Sequence, residues 1–207
     1  LGIDNDSGAY DASPDGSTIV GFSKSSSTVG EAFRWTQSDG LVGLGQLPGG
    51  GTLSIATRIS ADSNVIVGYA KRSGIVYEGF RWTANGGMVG IGDLPGGSYW
   101  SEVWDTNDDG SVLVGFGRDA TGVVATIWDE SKGLRTINDY LANELGIDPG
   151  GWYFGKSVGV SGDGTRIVGV GVNPDGIGES WMIIVPEPGT SAFVIVAGLL
   201  MTRRRRR

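Results

Sequence analysis

Asp15-Gly16-Ser17-Thr18-Ile19-Val20-Gly21 returns three times along the chain. The copies are Asp62-Ser63-Asn64-Val65-Ile66-Val67-Gly68, Asp109-Gly110-Ser111-Val112-Leu113-Val114-Gly115 and Asp163-Gly164-Thr165-Arg166-Ile167-Val168-Gly169. Their closing glycines are spaced by 47, 47 and 54 residues. Self-similarity at such an interval is the signature of a repeat architecture. Each copy joins a turn signal to a β-branched run: Asp-Gly tolerates positive φ at a hairpin, and Thr-Ile-Val suits a buried strand. In the second copy Ser63 replaces the glycine, and Asn64 is read as the left-handed residue.

Two further blocks keep the same interval. Glu31-Ala32-Phe33-Arg34-Trp35-Thr36 recurs as Glu78-Gly79-Phe80-Arg81-Trp82-Thr83. It loosens to Ala125-Thr126-Ile127-Trp128, one residue short, and to Glu179-Ser180-Trp181, where the Trp takes the place of Phe33. Aromatics alternating with Arg share one face of a strand, and Arg34 and Arg81 are expected to pair with acidic neighbours across strands. Val42-Gly43-Leu44-Gly45-Gln46-Leu47-Pro48-Gly49-Gly50 recurs as Val89-Gly90-Ile91-Gly92-Asp93-Leu94-Pro95-Gly96-Gly97, and Leu-Pro-Gly-Gly suits a turn into the next unit.

Three or four short strands per unit cannot bury an aromatic face alone, but stacked neighbours can. The fold class expected is therefore all-β: repeated antiparallel β-units in a propeller-like array, partial or small, with a stacked β-solenoid or sandwich as the alternative. The units run at about 12–58, 59–105, 106–159 and 160–184. One segment departs from this pattern. Apolar residues at 137, 140, 141 and 145 predict a short amphipathic helix over 137–145, capped by Asn138 or Asp139 and stopped by Gly146. Leu1-Gly2-Ile3-Asp4 matches Leu145-Gly146-Ile147-Asp148, which leads into the fourth copy. The chain thus starts inside a repeat, as a fragment of a longer protein or with Leu1–Asp4 closing the last unit. No signal peptide is visible at the amino end.

The 207 residues include 38 Gly, and 39% are hydrophobic, so a turn-dense core can form. Neither Cys nor His occurs, which removes disulfides, thiolate chemistry and the commonest general base and metal ligand. Five of the 16 basic residues form the run Arg203, Arg204, Arg205, Arg206 and Arg207; the remaining 11 face 23 acidic residues and leave −12. A body this acidic repels phosphate backbones, so nucleic acid is not an expected partner.

After Ile184 the composition changes. Val185-Pro186-Glu187-Pro188-Gly189 ends the β pattern, Ser191–Met201 carries no charge, and the five arginines follow. Eleven helical residues rise about 16 Å, roughly half of a ~30 Å hydrocarbon core. Moving five arginines against the membrane potential costs on the order of 11 kcal/mol per 100 mV. A C-terminal apolar helix that stalls in the membrane but is weakly held suits a transient signal. In motif, order and position, Val185, Pro186, Glu187 and Pro188, the apolar stretch and Arg203–Arg207 resemble the PEP-CTERM sorting domain of Gram-negative surface proteins. That resemblance implies an exosortase-type processing enzyme as partner, a transient inner-membrane stage and association with exopolysaccharide. The body is similar to the HAF extracellular repeat family, with Glu31-Ala32-Phe33 where that family has His-Ala-Phe. This resemblance implies an exported, cell-surface or matrix location.

Candidate sites are few. Asp105-Thr106-Asn107-Asp108-Asp109-Gly110 fits the first half of a Ca²⁺ loop through Asp105, Asn107 and Asp109. Position twelve is Phe116 rather than the bidentate Glu, so a structural turn is the preferred reading and no cofactor is expected. Tyr99, Trp100, Trp104, Trp152 and Tyr153 lie at unit junctions, where they either pack between units or stack on sugar rings. No Gly-x-Ser-x-Gly elbow or paired-carboxylate pattern stands out. The chain therefore reads as a structural or interaction protein rather than an enzyme. A carbohydrate-binding module is the alternative, and a propeller glycosidase or lyase ranks third.

Overall fold

The computed structural model describes residues 6–25 and 28–185. These form a series of antiparallel sheets, or blades, in chain order. Blade one is β1 (Ser7–Ala12), β2 (Thr18–Ser25), β3 (Thr28–Thr36) and β4 (Gly40–Gly43), hydrogen-bonded in that order. Blade two is β5 (Ser54–Ile59), β6 (Val65–Ser73), β7 (Val76–Thr83) and β8 (Gly87–Gly90); blade three is β9 (Gly96–Thr106), β10 (Val112–Asp119), β11 (Gly122–Asp129) and β12 (Gly133–Thr136). Blade four has three strands, β13 (Tyr153–Val160), β14 (Arg166–Val172) and β15 (Gly178–Ile184). The all-β, propeller-like class expected from the repeats is the observed one. Each sheet starts one strand earlier than the sequence unit, because the first strand of a blade precedes the Asp-Gly turn.

The recurring blocks acquire equivalent positions. Ile19 pairs with Trp35, Ile66 with Trp82 and Leu113 with Trp128. The closing glycines Gly21, Gly68 and Gly169 face Phe33, Phe80 and Trp181, whereas Gly115 faces Thr126. The residue missing from the third copy was lost in the β10–β11 hairpin. Blades one and two, and blades two and three, touch through one parallel bridge each at equivalent residues, Gly30 to Leu53 and Tyr77 to Trp100.

Stacking buries the faces. Val20, Ala32, Leu44 and Leu47 of blade one meet Ala56, Ile66, Phe80 and Met88 of blade two, with Trp82 packed against them. Val65, Val67 and Ile91 meet Val103 and Leu113. Val114, Ala125 and Ile127 meet Phe154, Ile167, Trp181 and Ile183, joined by Ile137, Tyr140 and Leu141 of the helical segment. Burying a side chain such as Phe80 contributes roughly 1.5–3 kcal/mol.

That segment is one turn of α-helix, α1 (Ile137–Asp139), continued by a π-helical turn over Tyr140–Leu145. Thr136, not Asn138 or Asp139, is the cap: its hydroxyl accepts from the Asp139 N–H at 3.0 Å. Gly146 ends the segment in the left-handed conformation. Ser63 is itself the left-handed residue of the second copy, at φ 62°, not Asn64. The reason lies in a turn shared by all copies. The Ser60 hydroxyl donates to Asp62 (2.6 Å), the Asn64 N–H donates to the same carboxylate oxygen (3.0 Å), and the Val65 N–H donates to Ser60 Oγ (3.0 Å). With both flanks fixed, the intervening residue takes the backbone of Gly16 whatever its identity. The same bonds from Ser13 and Ser17 hold Asp15 at about 2, and those from Ser161 and Thr165 hold Asp163 at about 2.

Candidate functional site

The first strand of every blade carries one extra residue at an equivalent place. Ala9 pairs with Gly21 and Asp11 with Val20, which leaves Tyr10 bulged. Ala56 and Arg58 flank Thr57, Val103 and Asp105 flank Trp104, and Ser157 and Gly159 flank Val158 in the same way. A bulge re-aims the side chain it carries, and the closing glycine of each copy is what makes room for it. A Cβ on Gly21, Gly68, Gly115 or Gly169 would collide with the carbonyl oxygen of Gly8, Ile55, Glu102 or Lys156. None of these four glycines has positive φ; space, not backbone freedom, is what they provide.

The four bulged residues converge. A cavity of about 250 Å³ is lined by Tyr10, Thr57, Trp104 and Val158 together with Ile55, Arg58 and Tyr69. Beside each bulge sits a second equivalent set: Asp11, Arg58, Asp105 and Gly159. Arg58 Nε donates to Asp105 Oδ1 at 3.1 Å, and its Nη1 lies 3.8 Å from Asp11 Oδ1. The other oxygens of these carboxylates accept backbone N–H groups of the next blade, Ile59 on Asp11 at 3.0 Å and Val160 on Asp105 at 2.9 Å. Burial pushes the Asp105 carboxyl above its ordinary range despite these partners. Thr57 Oγ1 donates to the carbonyl of Val103 at 2.9 Å, tying β5 to β9. Burial, reinforced by Glu102, pushes the Tyr69 hydroxyl up to about 12.

Of the five aromatics singled out by sequence, only Trp104 reaches this cavity. Its Nε1–H donates to Glu102 at 3.1 Å, and its ring lies 6.0 Å from that of Phe116. Tyr99 accepts from Arg72, which also pairs with the buried Glu78. Trp100 packs on Tyr77 (5.1 Å) and under Arg118 (4.7 Å) at the bridge between blades two and three. Trp152 stacks on Phe154 in the core beside the helix, and Tyr153 donates its hydroxyl to the Val123 carbonyl. Tyr10 was missed by sequence reading. Counting back eleven residues from each closing glycine in blades one to four would have found it, with Thr57, Trp104 and Val158.

Asp105, Asn107 and Asp109 have separate tasks. Asp105 serves the Arg58 pair, Asn107 Oδ1 accepts from the Val112 N–H (2.8 Å), and Asp109 accepts from the Ser111 N–H (2.9 Å). Among the described residues no group of three or more Asp and Glu side chains is placed to hold a metal ion. Glu31 and Glu78, at the His position of the resembled repeat, are also structural. Each accepts a backbone N–H at 3.1 Å, from Gly45 and Gly92 respectively. Ser54 and Ser101 of the following blade then donate to the carbonyls of those glycines. Arg34 pairs with Asp39 in the turn that follows its own strand rather than across strands; Arg81, whose copy has Gly86 at that place, donates to the Gly110 carbonyl.

The arrangement of blades has counterparts among solved structures. TolB from Acinetobacter baumannii matches with a TM-score of 0.55 and 14% identity over 84% of this chain and 39% of its own. A protein assigned as TolB from Agrobacterium tumefaciens matches at 0.53 and 16% identity, over 86% of this chain and 57% of its own. A mutant puromycin hydrolase complexed with PGG matches at 0.51 and 17% identity, over 86% of this chain and 27% of its own. The fold is that of TolB-like propellers. The chain thus spans less than two thirds of each of these structures. No protein-family model matches it, and no curated protein does.

A larger hollow of about 570 Å³ lies at the turn end of blade one, between Gly16, Ser17 and Trp35–Ser38. Equivalent hollows recur beside Trp82 and Trp128. They follow from the blade's shape, whereas the cavity at the inner strands requires all four blades.

Among the described residues no helix is long and apolar enough to cross a membrane. The sorting motif beyond Val185, the apolar stretch and Arg203–Arg207 lie outside the described residues.

Proposed function

We propose that this chain is an exported interaction protein of the cell surface or extracellular matrix. Its propeller-like body does the binding, and 185–207 is the PEP-CTERM-like tail that sorts it through an exosortase-type enzyme at the membrane. The observation that carries the binding role is the convergence of the four inner-strand bulges on one cavity. Among the described residues the carboxylates beside it are already committed, Asp11 and Asp105 to Arg58 and backbone N–H groups, and Glu102 to the indole N–H groups of Trp100 and Trp104. That is a lining suited to recognition rather than bond cleavage. The TolB-like fold supports export in general terms, and the order Pro-Glu-Pro, apolar stretch, arginines supports the address. A second reading, a carbohydrate-binding module, is favoured by the exposed ring of Trp104. Deleting Pro186–Arg207 and fractionating the cells tests the sorting role: the protein should fail to reach the surface, and unchanged delivery overturns it.

A further inference from the structure

Resting on the reading of the body as a binding array, we propose that the inner-strand cavity binds a neutral saccharide, with Trp104 as the stacking platform and Tyr10 as the second wall. Trp104 is 43% exposed, yet its orientation is fixed. The indole N–H is satisfied by Glu102, a buried carboxylate that also accepts from Trp100 Nε1 at 2.9 Å. Its ring leans on Phe116, and the β9 backbone under it is set by the bulge opposite Gly115. A ring whose polar atom is already paired has only its face to offer, and a rigid aromatic face binds with little ordering cost. Tyr10, 53% exposed and tilted against Phe22 (6.0 Å), faces the same cavity.

Charge narrows the ligand class. A cation would meet Arg58 in the lining and carboxylates that are already committed: Asp105 to Arg58 and the Val160 N–H, Asp11 to the Ile59 N–H, and Glu102 to two indole N–H groups. Asp11, Asp105 and Glu102 outnumber Arg58, and the body around them is acidic, which disfavours an anion. What remains is a neutral ligand with apolar faces and hydroxyl groups. The faces stack on Trp104 and Tyr10. The hydroxyls meet the N–H groups of Arg58 that Asp105 does not take, since the Nη1 to Asp11 separation of 3.8 Å is beyond a hydrogen bond. A volume of about 250 Å³ falls below the ~300–1,000 Å³ typical of sites enclosing drug-sized ligands. It suits one or two sugar rings at the end or bend of a chain.

The test is titration of the full chain, by tryptophan fluorescence and calorimetry, with maltohexaose, cellohexaose, laminarihexaose and mannohexaose, and with alginate and chitosan hexamers as charged comparators. At least one neutral hexamer should bind saturably and more tightly than either charged one. Trp104→Ala should weaken it about tenfold or more, equivalent to ~1.4 kcal/mol. Trp104→Phe should restore part of the loss, and Ile75→Ala, at an exposed hairpin far from the cavity, should change nothing. Circular dichroism and melting of each variant separate lost binding from lost folding. No saturable binding by any neutral hexamer, preference for a charged one, or binding indifferent to Trp104→Ala overturns the proposal. Such a failure with tail-dependent sorting intact removes the saccharide alone, whereas sorting indifferent to the tail removes the wider reading.

Discussion

Val20, Val67, Val114 and Val168 occupy the same place in the four blades, and the sequence gives them the same residue. The first three are 0%, 0% and 1% exposed. Val168 is 39% exposed. Local sequence does not account for the difference; the neighbour does. In blades one to three that valine is covered by the following sheet, and among the described residues no sheet follows blade four. Phe116 and Val170, another equivalent pair, differ in the same direction. On its other side blade four is as well packed as any, with Ile167, Trp181 and Ile183 buried against blade three and the helical segment. Each blade therefore has two faces whose burial is decided independently, as nearest-neighbour stacking requires.

The contrast can be broken most forcefully inside the stack. Phe80→Ala removes a fully buried ring from the interface of blades one and two and should cost about 3–5 kcal/mol by urea denaturation. A loss under about 1 kcal/mol would mean that the interface is not a true core. Gly115→Ala should cost about 1–3 kcal/mol, because the new Cβ meets the Glu102 carbonyl. It should also shift the fluorescence of Trp104 by displacing the bulge, and an unchanged spectrum would count against the bulge as the device that aims this ring. Val67→Ala and Val168→Ala make the comparison directly: about 2 kcal/mol for the first and within about 0.5 for the second. Equal costs would contradict the distinction between covered and uncovered faces.

Turn stability should ignore stacking. Asp15 in blade one and Asp163 in blade four are both held at about 2, chiefly by the hydroxyls of Ser13 and Ser161. Their contribution should be fully present above the unfolded carboxylate range near ~3.9 and lost as pH falls through about 2. Asp15→Asn and Asp163→Asn should flatten the acid limb of the unfolding midpoint to a similar extent, as melting between about pH 2 and 5 would show. The smallest effect is expected from Ser63→Gly. It relieves the left-handed serine of the second copy and should stabilise by less than about 1 kcal/mol.

The fold was legible because its determinants are local and repeated: turn, β-branched run, aromatic-Arg-aromatic strand. The helix over 137–145 was legible from its spacing, but its cap at Thr136 was not, since Asn138 and Asp139 are equally good capping residues by type. The bulges left no mark on their own strands. Their trace is the invariant glycine on the partner strand, which reads as an ordinary turn or strand-end glycine until the pairing is known. For the same reason Tyr10 and the Asp11–Arg58–Asp105 group were invisible: they join residues one repeat apart, and no local pattern encodes that contact. Trp104 was singled out by type and junction position alone, and those grounds do not separate it from Tyr99, Trp100, Trp152 and Tyr153, which lie outside the cavity lining.

Amide hydrogen exchange on the full chain tests the stacking account most directly. β6 and β10, whose sheets are covered on both faces, should exchange slowest, and β14, central in its sheet but covered on one face, measurably faster. Protection in β14 equal to or greater than that of β6 and β10 would contradict it.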